Sequence, residues 1–184
     1  MKILVLPGDG IGPEITAATL RVLDEVNRLL ALGLEFESRD IGLASLKAVG
    51  STLPGEILER IPQVDGVILG PVSHYDYPPR SEGGINPSGE LRTRFRLYAN
   101  IRPCRSRKDL TVLRRPMDLI IVRESTEGFY SDRNMFVGPG EFMSDEDTAF
   151  SIRKITAKAC SAVAQAAFEL ARDRRHKVTA VHKA

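Results

Sequence analysis

The sequence predicts an α/β protein with a mainly parallel sheet flanked by helices. Short continuous apolar runs, helical stretches between them, and proline or glycine at the junctions all point that way. The first apolar run, residues 3–6, suits a strand covered on both faces. GDGIGPE follows at 8–14, and Pro13 is a good helix entry because proline at the first helical position loses no needed N–H. Glu14 then meets the positive end of the helix dipole. Ile15, Leu20, Leu23, Val26 and Leu30 recur at helical spacing, and Gly33 supplies the stop. Residues 34–40 alternate as a second strand, 43–49 and 55–61 read as short helices punctuated by Pro54 and Pro62, and 64–69 is a third strand.

Beyond this unit, VSHYDYPPRSEGGINPSG at 72–89 is rich in Pro, Gly and Ser and predicts a long functional loop. LRTRFRLYANIRP, residues 91–103, gathers Arg92, Arg94, Arg96 and Arg102. As a helix it would put Arg92 and Arg96 on one face and Arg94 on the other, before a strand over 97–103 that carries Arg102. Another strand over 117–122 ends at Arg123. RESTEGFYS then turns at Gly128 and exposes Tyr130, and 132–147 reads as an irregular or hairpin region. The pattern Phe150, Ile152, Ile155, Ala159, Val163, Ala166, Leu170 predicts one amphipathic helix over 147–174, followed by a last strand over 177–181. That strand has no following element to pack it, so a longer parent chain is expected.

A chain of 184 residues, 42% apolar and 27% charged, can bury one sizeable core or two small ones. Its net charge of +2 gives little reason to expect a nucleic-acid partner. Cys104 and Cys160, far apart and outside any CxxC pair, fit a reducing compartment rather than a disulfide framework or zinc site. The opening MKILVLPGDG is too short in apolar residues for a signal peptide or anchor, so a soluble cytoplasmic protein is expected.

Arginines converging on one spot would suit a small polyanion, because a guanidinium fork grips a carboxylate through two bonds; on an exposed helix they would only be solvated. The turn at Gly8–Gly12 can offer backbone N–H groups to an anion, or it can be a tight turn in which Asp9 caps its own backbone. It lacks the spacing of the dinucleotide fingerprint and the Lys-Ser/Thr pair of a phosphate loop. Tyr130 and Lys183 are either proton carriers or, as composition favours, a half-buried aromatic and a surface lysine. His74, His176 and His182 lack ligand spacing, and 145–147 (Asp, Glu, Asp) resemble a helix N-terminal acidic cluster more than a metal site.

Four motifs, LPGDGIGPE (6–14), LRTRFRLYANIRP (91–103), VRESTEGFYS (122–131) and VHKA (181–184), resemble in their order the N-terminal half of the metal-dependent β-decarboxylating dehydrogenases. This is the family of isopropylmalate, isocitrate, homoisocitrate and tartrate dehydrogenases. The resemblance implies that family's two-domain fold, present in part: a first α/β domain over 1–98, a second, dimer-forming one over 99–184, and no C-terminal half. It implies that Arg92, Arg102 and Arg123 hold the carboxylates of a substituted malate, with Asn86 and Ser88 near its variable group. Tyr130 would protonate the enol left by decarboxylation. Lys183 would serve the base relay at the 2-hydroxyl and reach the partner subunit's site. Gly10, Ile11, Gly12, Val72 and Ser73 would face the NAD or NADP cofactor. The Mg2+ or Mn2+ ligands would lie beyond this chain, which alone is expected to be inactive.

Isopropylmalate enzymes carry leucines just before the first arginine, whereas this chain has Asn86-Pro87-Ser88-Gly89-Glu90. A hydrocarbon branch would leave those polar groups unpaired, so a polar substituent is expected. The resemblance also implies a homodimer or higher oligomer, with an intersubunit arm around 132–141. A non-catalytic regulatory subunit of the same fold is the alternative, opposed by retention of Arg92, Arg102, Arg123, Tyr130 and Lys183.

Overall fold

A computed structural model describes residues 1–107, 116–130 and 135–182. Two compact units divide the chain, Met1–Leu91 and Arg92–Ala184.

In the first unit β1 (Lys2–Leu6) is the central strand, with β2 (Glu35–Ser38) on one side and β3 (Gly66–Leu69) on the other, both parallel to it. Leu4, Val5 and Leu6 are wholly buried, as a strand covered on both faces requires, and Ile41, Leu53 and Ile57 complete the core. Helix α1 (Gly12–Leu30) starts with proline in its first turn and ends at Ala31 in a left-handed cap. Leu20, Leu23 and Val26 of its apolar stripe are half-buried, but Ile15 and Leu30 at the two ends are exposed. Short helices α2 (Leu43–Val49) and α3 (Gly55–Arg60) follow β2. The long loop is shorter than the sequence suggests. It holds two 3-10 turns, His74–Asp76 and Arg80–Glu82, and gives way to helix α4 (Pro87–Arg94). Asn86 explains the early start: its Oδ1 accepts from Gly89 N at 3.2 Å and its carbonyl from Glu90 N at 2.9 Å, a cap ahead of Pro87.

The second unit departs further from expectation. Helix α4 stops at Arg94, and Arg96 has a left-handed backbone (φ 51°), so Arg92 and Arg96 do not share a helical face. Strands β4 (Ala99–Arg105) and β5 (Asp118–Glu124) pair antiparallel, with α5 (Ala157–Arg172) packed against both. The helix expected over 147–174 begins only at Ala157, where Thr156 Oγ1 caps it by accepting from Ala159 N at 3.2 Å. Upstream, β6 (Glu141–Asp145) and β7 (Thr148–Ser151) form a hairpin with stacked Phe142 and Phe150 rings 5.0 Å apart. A β-branched and an aromatic residue, Thr148 and Phe150, find cross-strand partners there, which outweighs the helical period. The acidic residues at 145–147 make the hairpin turn, Asp145 Oδ1 accepting from Asp147 N at 3.0 Å, rather than a helix start. Residues 177–181 are not a strand; among the described residues no neighbouring strand takes up their backbone groups.

Candidate active site

The second unit carries the arginine–tyrosine arrangement. Opposite residues of an antiparallel pair project from the same face, and so does every second residue along a strand. Asn100 lies opposite Arg123 and Arg102 opposite Ile121, so Asn100, Arg102 and Arg123 share one face, the two arginines on a diagonal. Both arginines are exposed, while Ile120 and Val122 of β5, which project from the other face, are half-buried. Arg102 Nε donates to Asn100 Oδ1 at 2.8 Å, and Arg123 Nη2 donates to Tyr130 Oη at 2.6 Å. Among the described residues neither arginine has a carboxylate partner. Arg105 and Arg174 differ, since both are neutralised by Asp118. Arg102 and Arg123 therefore form a face with two uncompensated guanidiniums, suited to an anion with more than one carboxylate.

The loop that brings Tyr130 back to Arg123 is braced by two carboxylates. Glu124 accepts from the Thr126 hydroxyl, from Thr126 N at 2.7 Å and from Glu127 N at 2.9 Å. Burial pushes the Glu124 carboxyl up, but hydrogen bonds from the Thr126 hydroxyl and from the amides of Glu127, Thr126 and Ser125 outweigh it. The net direction is below the ordinary carboxylate value. Glu127 takes Thr156 N and Thr156 Oγ1, each at 2.7 Å, and Gly128 exchanges backbone bonds with Lys154 at 2.9 and 3.0 Å. The turn at Gly128 has φ 105°, as its glycine suggests. Arg92 closes the list of family arginines at the end of α4, half-buried, its carbonyl accepting from Leu97 N at 2.9 Å. Among the described residues its guanidinium takes no part in the bonds on the β4–β5 face. Lys183 and Ser131 lie outside the described residues, as do 132–134 of the expected intersubunit arm.

The first unit carries the glycine turn. The strand order β2-β1-β3 makes the gap between β1 and β3 a topological switch point, and ligands of open α/β sheets bind outside the carboxyl ends of strands there. Gly8–Gly12 follows β1 and Val72-Ser73 follows β3. Asp9 N donates to Pro71 O at 2.8 Å, and Gly12 N to Asp9 O at 2.8 Å. A Cβ on Gly10 would stand 3.7 Å from Ser73 Oγ, so these two loops face each other. Ile11 caps α1 with no side-chain bond and is 59% exposed, but most of the first turn's donors are already used: Gly12 N goes to Asp9 O, Pro13 has no N–H, and Ile15 N goes to Ile11 O at 3.1 Å. The facing loops at this switch point are where a dinucleotide would lie in an open α/β sheet. The Asp9 side chain, however, does not cap its own backbone; both its oxygens bond distant segments. Asn86 uses its side-chain oxygen on α4, and Ser88 is half-buried in the helix's first turn. Among the described residues no three His, Cys, Asp or Glu side chains gather as a metal set.

Sequence reasoning missed Asn100 and Glu127 and read Asp9 only as a cap of its own turn. Asn100 had a usable signal, standing two residues before Arg102 in a strand and hence on its face. For the two acids nothing local pointed to the distant groups they bond.

The family model for isocitrate/isopropylmalate dehydrogenase matches residues 2–184. The chain belongs to that family. Members of it with curated names include a 3-isopropylmalate dehydrogenase of Methanothermobacter thermautotrophicus, 37% identical over 185 residues, all of this chain and 50% of the relative. A 3-isopropylmalate/3-methylmalate dehydrogenase of Methanocaldococcus jannaschii is 36% identical over all of this chain and 51% of its own length. Among solved structures, isocitrate dehydrogenase from Methylococcus capsulatus superposes with a TM-score of 0.73 at 28% identity, over 95% of this chain and 48% of that one. The family fold is thus present, and the chain spans about half the length of the curated relatives it matches. No helix among the described residues is long and apolar enough to cross a membrane.

Proposed function

We propose that this chain contributes the carboxylate-binding and proton-donating part of an NAD(P)-dependent oxidative decarboxylation of a 3-substituted malate. The single observation that carries the reading is the β4–β5 face, where Arg102 and Arg123, without a carboxylate partner among the described residues, stand diagonally and Arg123 holds Tyr130. Arg102 and Arg123, with Arg92, orient the substrate carboxylates. A bound nicotinamide would accept the hydride from C2 as the 2-hydroxyl proton passes to Lys183; the β-carboxylate would leave as CO2, and Tyr130 would give a proton to the resulting enol carbon. Gly10, Ile11, Gly12, Val72 and Ser73 form the cofactor side, and Lys183 serves the 2-hydroxyl. A divalent cation, Mg2+ or Mn2+, supplies Lewis-acid polarisation of the C2 oxygen when bound, on ligands other than the described residues.

Asn86 and Ser88 ahead of Arg92 favour a polar substituent, as in isocitrate, homoisocitrate or tartrate, over the isopropyl branch named for the Methanothermobacter and Methanocaldococcus relatives. The domain division at 98/99 and a homodimer or larger oligomer belong to the same proposal. The exposed apolar hairpin, with Phe142 50%, Met143 63% and Phe150 47% exposed, supports the oligomer.

The test is a substrate panel with NAD, NADP and Mn2+ on the assembled enzyme containing this chain. Isocitrate or another polar malate should be preferred at least about tenfold over isopropylmalate. Tyr130→Phe should leave substrate binding nearly intact and cut turnover by about a hundredfold or more. Wide preference for isopropylmalate would end the polar-substituent reading. Full turnover by Tyr130→Phe would remove the proton-donor role.

A further inference from the structure

The loop between β3 and α4 has a cofactor-facing end at Val72-Ser73 and a substrate-facing end at Asn86-Ser88. Two buried polar side chains hold it, and neither belongs to the loop itself. Asp9, 7% exposed, accepts from Ser73 N at 3.1 Å and from the Tyr77 hydroxyl on Oδ2, and from Leu43 N at 2.6 Å on Oδ1. One carboxylate so joins the segments that follow β1, β2 and β3. Thr52, with no exposed surface, holds the other end. Its hydroxyl donates towards Ile85 O at 2.7 Å and Gly83 O at 3.2 Å and accepts from Ile85 N at 2.7 Å, while its own N–H donates to Gly83 O at 2.9 Å. The two anchors share no hydrogen-bond partner.

We propose that Asp9 and Thr52 are separate positioning residues, Asp9 for the cofactor-facing end of this loop and Thr52 for the substrate-facing end. The inference rests on the assignment of those two ends made above. The chemistry of each anchor is specific. An aspartate can serve three donors because both its oxygens are acceptors; an asparagine keeps one acceptor and presents an N–H₂ where Ser73 N and Tyr77 Oη need an oxygen. Valine at 52 keeps the shape of threonine and removes the hydroxyl that bridges Gly83 and Ile85. A buried donor left without its acceptor opens more readily, and local opening is what amide exchange reads.

The experiment is amide hydrogen exchange, residue by residue, on the assembled enzyme containing this chain with Asp9→Asn or Thr52→Val, and an NAD+ titration followed on the same amides. Asp9→Asn should speed exchange at Leu43 and Ser73 by about tenfold or more, leave Ile85 within about twofold, and weaken NAD+ binding about tenfold. Thr52→Val should speed Ile85 to the same degree, leaving Ser73 and NAD+ affinity within about twofold. If either variant loosens both ends together, or if Asp9→Asn binds NAD+ as the unaltered chain does, the two-anchor assignment is wrong. Failure of the unaltered enzyme to take up NAD+ at the Gly10–Gly12 turn would overturn the cofactor assignment instead. The exchange map would then decide the anchors by itself.

Discussion

The loop junction around Asp9 and the strand face around Arg123 both present polar groups at the end of a sheet, but they are built in opposite ways. At the junction the acid is buried, each of its oxygens is taken, and the backbone turns are packed against one another. On the strand face the two arginines are exposed, and neither has a carboxylate partner among the described residues. A buried hydrogen-bonded carboxylate is costly to disturb, whereas an exposed guanidinium contributes little to folding. Substitutions at the junction should therefore be felt in stability, and those on the strand face in ligand binding.

The largest effect is expected at Gly8. Its φ is +78°, and a Cβ there would sit 2.0 Å from Pro71 O, a backbone atom that cannot yield without moving the loop after β3. Gly8→Ala should destabilise the first unit by about 3 kcal/mol or more, and Gly33→Ala supplies the control. Gly33 has φ +67° but nothing within 4 Å of the added carbon, so it should cost only about 1 kcal/mol. Urea unfolding followed by a probe in the first unit measures both. Equal costs would mean that the close approach of the two loops is not real, and the contrast with the strand face would lose its basis.

The same contrast explains what was legible in the sequence. The strands β1 and β3 and the helix α2 could be read because a short apolar run and a helical period are local signals, although only β1 proves buried on both faces. Residues 147–156 could not, because Phe150 and Ile152 fit a helical stripe as well as a hairpin until Phe142 is known to lie opposite Phe150. For the candidate site, motif resemblance supplied Arg102, Arg123 and Tyr130, and the antiparallel register then set Asn100 beside them. Asp9 read as a turn residue because its partners, Leu43, Ser73 and Tyr77, are far away in sequence. Its role is a tertiary fact with no local trace.

Tyr77 offers a smaller effect with a pH signature. Burial first, then the hydrogen bond to Asp9 and the charge of Asp9, push the Tyr77 phenol well above its ordinary value. Tyr77→Phe should cost about 1–2 kcal/mol at neutral pH, since Asp9 loses one donor. A folded-state value above the unfolded one means that the protonated phenol's contribution is complete below about pH 10 and is lost as pH rises through the folded value. The unaltered chain should accordingly lose stability between about pH 10 and 11.5 more steeply than Tyr77→Phe does. Parallel profiles in urea titrations across that range would show that the hydroxyl is not engaged with Asp9.

The smallest stability effect should come from Arg102→Gln. Its guanidinium is exposed and its bond to Asn100 spans two residues of one strand, a local contact that the unfolded chain replaces with water. Removal should change unfolding free energy by less than about 0.5 kcal/mol. Relieving repulsion from Arg123 on the same face would, if anything, raise it slightly. A dicarboxylate that uses the Arg102 fork should nonetheless bind about tenfold or more weakly, because a charge-assisted bond is lost. Thermal melts and calorimetric titration on one preparation separate the two quantities. A loss of more than about 1 kcal/mol in stability with binding unchanged would make Arg102 a structural residue. The strand face would then be the same kind of construction as the Asp9 junction, and the division between holding the fold and holding the ligand would not run where it is drawn here.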